Sequence, residues 1–295
     1  MTNNFNMKRG GENSRSQLSP QEYAEKKKSE KNAVYQMIDE AAAEVVSDPE
    51  KLRTFLDTQS RMDRYSVSNA LLIYKQFPNA TQLKSFGDWG EDNAKISKGA
   101  KSISILEPIE YTKKDGTSGI SYNVKKVFDI TQTSATHPPA PTINRDPRHL
   151  VTVMLDTAPV QKELVDELPY SDMASYYDNE KQTLFVKRNV GDSVALCQSV
   201  SQELGLAQLS MDSEVYSRRD MSFNAVCVGY MLCRKFGVDT KNFAVDRIPE
   251  ELASKKPKEI RTELSKIRTS MNEIYSRVSD ELYRQKQERS KDKER

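Results

Sequence analysis

The 295-residue chain is long enough for two domains of ordinary size, and 36% apolar with 30% charged residues describes a polar globular protein. A formal net charge of +2 excludes a global basic excess, so any nucleic-acid site must arise from local clustering of cations. No apolar run approaches bilayer length and the first residues lack the apolar core of a secretory signal, which points to a cytoplasmic protein with no membrane partner.

Residues 1–20 combine Asn, Gly, Ser and Arg with almost no apolar content and read as a flexible arm. From Pro20 a run of helix formers carries an apolar stripe through Val34, Met37, Ile38, Ala41 and Val45. Ser47, Pro49 and Glu50 mark a second helix start before Leu52, Phe55 and Leu56. Ser66 marks a third, closed by Pro78. After Trp89 the pattern becomes extended. Ser102 to Leu106 alternates as a half-buried strand, Tyr111 and Val124 to Phe128 indicate further strands, and Lys113 to Gly116 forms a hairpin turn.

Residues 134–147, with Pro138, Pro139, Pro141 and Pro147, read as a linker. Beyond it a helix is expected near Pro159 to Leu168. Short strands at Ala174 to Tyr177 and Thr183 to Val186 follow, joined through Asp178 and Asn179. Asp192 to Leu209 repeats apolar residues at three- and four-residue steps, as a buried helix does. Phe223 to Phe236 reads as a long apolar helix ended by Gly237. From Glu250 the stripe Ile260, Leu264, Ile267, Met271, Ile274, Val278 and Leu282 forms one amphipathic helix, packed along the protein or on a partner, with a frayed tail. The expected fold is α+β with two domains: 21–133, and a mostly helical 148–250 with a short β-hairpin, followed by the charged helix 251–295.

Cys197, Cys227 and Cys233 lack CxxC spacing and lie in apolar patterns, so they read as reduced core thiols. His137 and His149 are the two histidines, and they sit in or just after the linker without helical pairing. Neither is assigned as a metal ligand, and no cofactor is expected. Gln202-Glu203-Leu204-Gly205-Leu206 has the layout of a zincin helix in which two histidines four apart face one zinc. Here Gln202 and Leu206 stand in the histidine places, and only Glu203 of the chemistry is kept. A glutamate without metal supplies proton transfer alone, which is no basis for a peptidase.

The series Arg64-Tyr65-Ser66, Asn69 to Ile73, Gln76, Pro78 to Thr81, Phe86, Trp89, Lys98-Gly99-Ala100-Lys101, Ile103, Ile105, Pro108, Val127 to Ile130 and Gln132-Thr133 resembles the N-terminal domain of the ArdC-like antirestriction proteins. That family is encoded on conjugative plasmids and related mobile elements. The resemblance implies a single-stranded DNA-binding domain over about residues 30–133, then a zincin-like metallopeptidase domain. Its metal ligands are absent here, the third falling near Asn224 or Val226.

For DNA, single strands require cations that track phosphate and flat rings on which bases stack. Arg61, Arg64, Lys75, Lys84, Lys95, Lys98 and Lys101 supply the cations. Tyr65, Tyr74, Phe86 and Trp89 supply rings, most of them expected in the core, with Tyr65 the preferred stacking ring. Asn69 and Gln76, two helical turns apart on one face, either contact bases or cap neighbouring backbone. The Lys98 to Lys101 turn either binds phosphate or is simply solvated. The expected function is a single-stranded DNA-binding, antirestriction-like accessory protein with an inactive peptidase-like domain, with a restriction or conjugation protein as a further partner. The rival readings are an active metallopeptidase with non-standard ligands, and an interaction component of a conjugation system.

Overall fold

Ser19 starts the first element. Its side chain accepts the Glu22 N–H while the Glu22 carboxylate accepts the Ser19 N–H, and Pro20 occupies the first turn, where it costs no hydrogen bond. The computed structural model describes residues 19–113, 115–136, 145–211 and 213–293. The expected arm, the centre of the linker, His137 and Lys114 therefore fall outside the described residues. Helix α1 spans Pro20–Val45, and only its second half is buried, through Val34, Ile38, Ala41, Ala42 and Val45. Helix α2, Pro49–Arg61, is capped by Asp48 rather than the expected Ser47: the Asp48 carboxylate accepts the Glu50 and Lys51 N–H groups. Helix α3, Val67–Gln76, begins at Ser66 as expected.

Strand β1 (Leu83–Ser85), helix α4 (Phe86–Glu91) and strands β2 (Ile103–Thr112) and β3 (Ser118–Asp129) follow. The sheet order is β1-β3-β2, all antiparallel, with Ile103 opposite Val127 and Thr112 opposite Ser118. The base of the β2–β3 hairpin is buried at Ile103, Ile105 and Val127; its outer half exposes Ile109, Tyr111, Ile120 and Tyr122. Gly116 (φ 83°) supplies the left-handed turn residue that the sequence placed there. Trp89 is buried and donates from Nε1 to the Phe128 carbonyl at 2.9 Å, so it anchors α4 to the sheet.

The second segment departs from expectation at its start. Pro159 to Leu168 is not a helix: strand β4 occupies Gln161–Val165, and the helix is α5, Pro147–Asp156. Asp146 caps α5 through the Arg148 N–H with Pro147 in the first turn, so the last proline of the expected linker is a helix-starting proline. Strand β4 is parallel to β6 (Thr183–Lys187), and β5 (Ser175–Asp178) is antiparallel to β6, in the order β4-β6-β5. Helices α6 (Ser193–Met211) and α7 (Arg218–Phe236) come next, α7 starting five residues earlier than its apolar run and ending at Gly237 with φ 73°. The final region divides into α8 (Glu250–Ala253) and α9 (Pro257–Lys293), helical to Lys293 instead of fraying from Gln285.

Helices α6 and α7 touch through glycine. A Cβ on Gly205 would stand 2.9 Å from Val228 Cβ, and one on Gly229 would stand 2.9 Å from the Gln202 backbone nitrogen. The apolar stripe of α9 is buried along its whole length, from Ile260 to Leu282. It lies in one cluster with α1, α2 and α3 on one side of the linker and α5, α6 and α7 on the other. Polar ties cross the same boundary: Tyr230 donates to Asp57 at 2.8 Å, and Lys235 pairs with Asp63 at 2.7 Å. All three cysteines are free and buried.

Candidate functional site

A cleft of about 480 Å³ opens where the start of α3 meets the sheet. Arg64, Tyr65, Ser66 and Asn69 form one wall, Lys84, Ser85 and Asp88 another, and Pro108, Tyr122 and Lys125 of the hairpin a third. Arg64 is exposed and has no ion-pair partner among the described residues. Tyr65 is half-buried, packs on the cluster of Met62, Ile73 and Ile103, and burial raises its phenol pKa. The other cations are compensated: Lys125 pairs with Glu107 at 2.6 Å. Lys84 pairs with Asp92 and lies 5.2 Å from the Trp89 ring centroid. Ser85 caps α4 and Asp88 completes the capping box, where hydrogen bonds to Ser85 hold the Asp88 carboxyl below the usual range. Phe86, next to the cleft on α4, is 70% exposed. Tyr122 and Lys125 were not anticipated from sequence, because they enter the cleft only through the pairing of β3 with β2.

Several of the predicted residues are already engaged, Asn69 within the cleft wall and the others outside it. The Asn69 amide forms a two-way pair with Leu106, accepting its N–H at 2.7 Å and donating to its carbonyl at 2.9 Å. Gln76 does the same to Ser104, at 2.9 and 3.0 Å. Two side chains seven apart on a helix thus meet residues two apart on β2 and act as a short strand that closes its free edge. Of the two roles left open by sequence, the backbone-capping one is occupied. Arg61 donates to the carbonyls of Ala80 and Pro78, and Lys75 pairs with Glu44. Lys95, Lys98 and Lys101 are exposed on the segment between α4 and β2, outside the cleft, with Gly99 at φ 84° and the Ala100 N–H bonded to the Ser97 carbonyl at 3.1 Å. Tyr74 is buried in the helical core.

Glu203 occupies a different environment in the second segment. It is 2% exposed, and its Oε2 accepts three N–H groups: Tyr177 backbone at 2.7 Å and the two terminal nitrogens of Arg218 at 3.0 and 2.7 Å. The Arg218 guanidinium lies 4.4 Å from the Tyr176 ring centroid. Burial pushes the Glu203 carboxyl up to about 7, against the opposing pull of Arg218 and the Tyr177 N–H. Leu206 is buried, and Gln202 is half-buried at the α6–α7 contact.

No protein-family model and no curated protein matches the sequence. Solved structures do. The metal-free crystal structure of the antirestriction protein ArdC from plasmid R388 aligns over 73% of this chain and 86% of its own, with a TM-score of 0.51 at 12% identity. The Mn(II)-bound structure of that protein aligns over 72% and 85%, with a TM-score of 0.53 at 13% identity.

The chain has an ArdC-like fold.

The expected α+β class and long C-terminal helix agree with that fold. An ArdC-like fold raises the question of metal, since one ArdC structure holds Mn(II). The donor set here does not fit one. Leu206 has no lone pair and Gln202 offers only a neutral amide, while Oε2 of Glu203 already accepts three N–H groups. Asn224 donates to Glu263 at 3.0 Å, and Val226 packs on the core. Among the described residues no three His, Cys, Asp or Glu side chains converge. No helix among them is long and apolar enough to cross a membrane.

Proposed function

We propose that this ArdC-like protein binds single-stranded DNA in the Arg64–Tyr65 cleft, as an antirestriction-like accessory of a mobile genetic element, and that its second segment performs no peptidase chemistry. The observation that carries the reading is the cleft itself: the uncompensated Arg64 guanidinium beside Tyr65 and Tyr122, with Phe86 exposed on the neighbouring helix α4. Cations track phosphate and rings stack bases irrespective of sequence. The amides of Asn69 and Gln76, the groups best suited to reading base edges, are held by β2 backbone. Binding is therefore expected to tolerate sequence. Likeness to an antirestriction protein of plasmid R388 supports the biological setting.

Fluorescence anisotropy with labelled single-stranded and duplex oligonucleotides at two salt concentrations tests this. Single strands should bind more tightly, with affinity falling as salt rises, and homopolymers of different bases should differ little. Arg64→Ala should weaken binding several-fold and reduce the salt slope by about 0.7, as loss of one phosphate contact to a single strand requires. Equal affinity for duplex, or binding indifferent to salt, would refute the proposal.

A further inference from the structure

We infer that Arg218 is the built-in cation of the Glu203 site: its guanidinium supplies the positive charge that a bound metal would otherwise bring, and the site takes up no divalent ion. The inference rests on reading the second segment as metal-free and adds the residue that makes it so.

Three features of Arg218 point to this role. First, it delivers two N–H groups to one oxygen of a carboxylate that is almost wholly removed from water, beside the Tyr177 N–H on the same oxygen. An ionised carboxylate in such surroundings needs a compensating charge. Second, Arg218 is the first residue of α7, just after the Ser217 cap. A cation there opposes the positive end of the helix dipole, so the position is unfavourable unless something specific offsets it. The Glu203 carboxylate and the Tyr176 face, 4.4 Å from the guanidinium, provide that offset. Third, the contact joins three elements, β5 through Tyr177, α6 through Glu203 and α7 through Arg218. Tyr177 closes its far side, with its hydroxyl 3.1 Å from Ser210 Oγ and its ring edge-on to Tyr216. The two α6 positions that flank Glu203 on the metal-helix pattern, Gln202 and Leu206, offer a divalent ion no substitute for this arrangement. The chain thus shares the fold of a protein that has been crystallised with Mn(II) while meeting the charge of its helix glutamate internally.

The full-length protein, purified without chelator, is titrated with Mn(II) and free Mn(II) is read by electron paramagnetic resonance; urea midpoints are then measured for Arg218→Ala, Glu203→Gln and the double variant. No stoichiometric Mn(II) uptake is expected in the wild type. Arg218→Ala should lower the midpoint, and its effect should be clearly smaller in the Glu203→Gln background than in the wild type, because the pair is lost once. About 20 mM methylguanidinium should raise the melting temperature of Arg218→Ala and leave the double variant unmoved, as a ligand that refills the vacated place would do. Should Arg218→Ala fail to fold, Arg218→Lys, which keeps the charge without the two-pronged contact, replaces it in the cycle. One Mn(II) bound per chain, lost in Glu203→Gln, would overturn this inference together with the metal-free reading. Additive losses in the cycle, without rescue, would overturn the inference alone.

Discussion

Glu203 makes the protein's stability depend on pH in a direction opposite to that of an ordinary salt-bridged carboxylate. Its value in the folded chain, about 7, lies above the ordinary 4.5 because burial outweighs Arg218 and the Tyr177 N–H. Below about pH 4.5 the group is protonated in folded and unfolded chains alike and costs nothing. Between there and pH 7 the unfolded chain sheds its proton first, so the folded state binds more protons and stability falls as pH rises. Above pH 7 the loss is complete, at most about 3 kcal/mol for a shift of this size. Urea midpoints near pH 5 and near pH 8 should therefore fall further for the wild type than for Glu203→Gln. Parallel pH dependence in the two proteins would show that Glu203 is not the titrating group. At the same scale, the sequence made the helical spacing of Asn69 and Gln76 plain, since seven residues bring two side chains onto one face. Which strand would lie alongside was invisible in the chain, and only the arrival of Ser104 and Leu106 at that face settles what the amides do.

At the scale of elements, what was legible follows the strength of the periodic signal. The helices α1, α2, α3, α6 and α9 each bury a three-and-four stripe, and each was visible. Strand β4 buries almost nothing, its residues Gln161 to Leu164 being exposed, so it carries no alternation to read; β1 is three residues long. The cleft was half legible for the same reason: Arg64 and Tyr65 announce themselves beside a helix cap, while Tyr122 and Lys125 belong to it only by strand register. The α6–α7 contact yields a sharper expectation. Alanine in place of a helix-interior glycine ordinarily stabilises by about 0.5–1 kcal/mol. At Gly229 the added methyl would meet backbone atoms of Gln202 at 2.9 Å, which cannot move without shifting a helix. Gly229→Ala should thus destabilise by about 1–3 kcal/mol, the usual cost of overpacking. Gly90→Ala, where nothing lies within 4 Å, should be neutral or slightly stabilising. Thermal melts of the two variants check the contrast, and similar melting temperatures would mean that the helices are free to separate.

At the scale of the molecule, the question is whether residues 21–133 and 148–250 behave as two domains. Their helices share one buried cluster, and α9 runs through it, burying Ile267, Met271 and Ile274 among side chains from both segments. Arg268 of α9 also donates to the Asp63 carbonyl at 2.7 Å, and Asn272 donates to the same oxygen at 3.1 Å. Removing α9 would expose apolar surface on α1 and α3 as well as on α6 and α7, a loss larger than the marginal stability of an ordinary domain of about 5–15 kcal/mol can absorb. Truncation before Glu250 is accordingly expected to unfold the chain on both sides of the linker, which makes it unsuitable for isolating a partner-binding tail. The single tryptophan provides the test within the intact protein, because Trp89 belongs to a small separate cluster with Ala94 and Ile130 on the sheet side. If the shared cluster governs stability, urea transitions followed by Trp89 fluorescence and by helical circular dichroism will coincide. A Trp89 transition at distinctly higher or lower urea would mean that the sheet-bearing segment unfolds independently of the shared cluster, as a two-domain description requires.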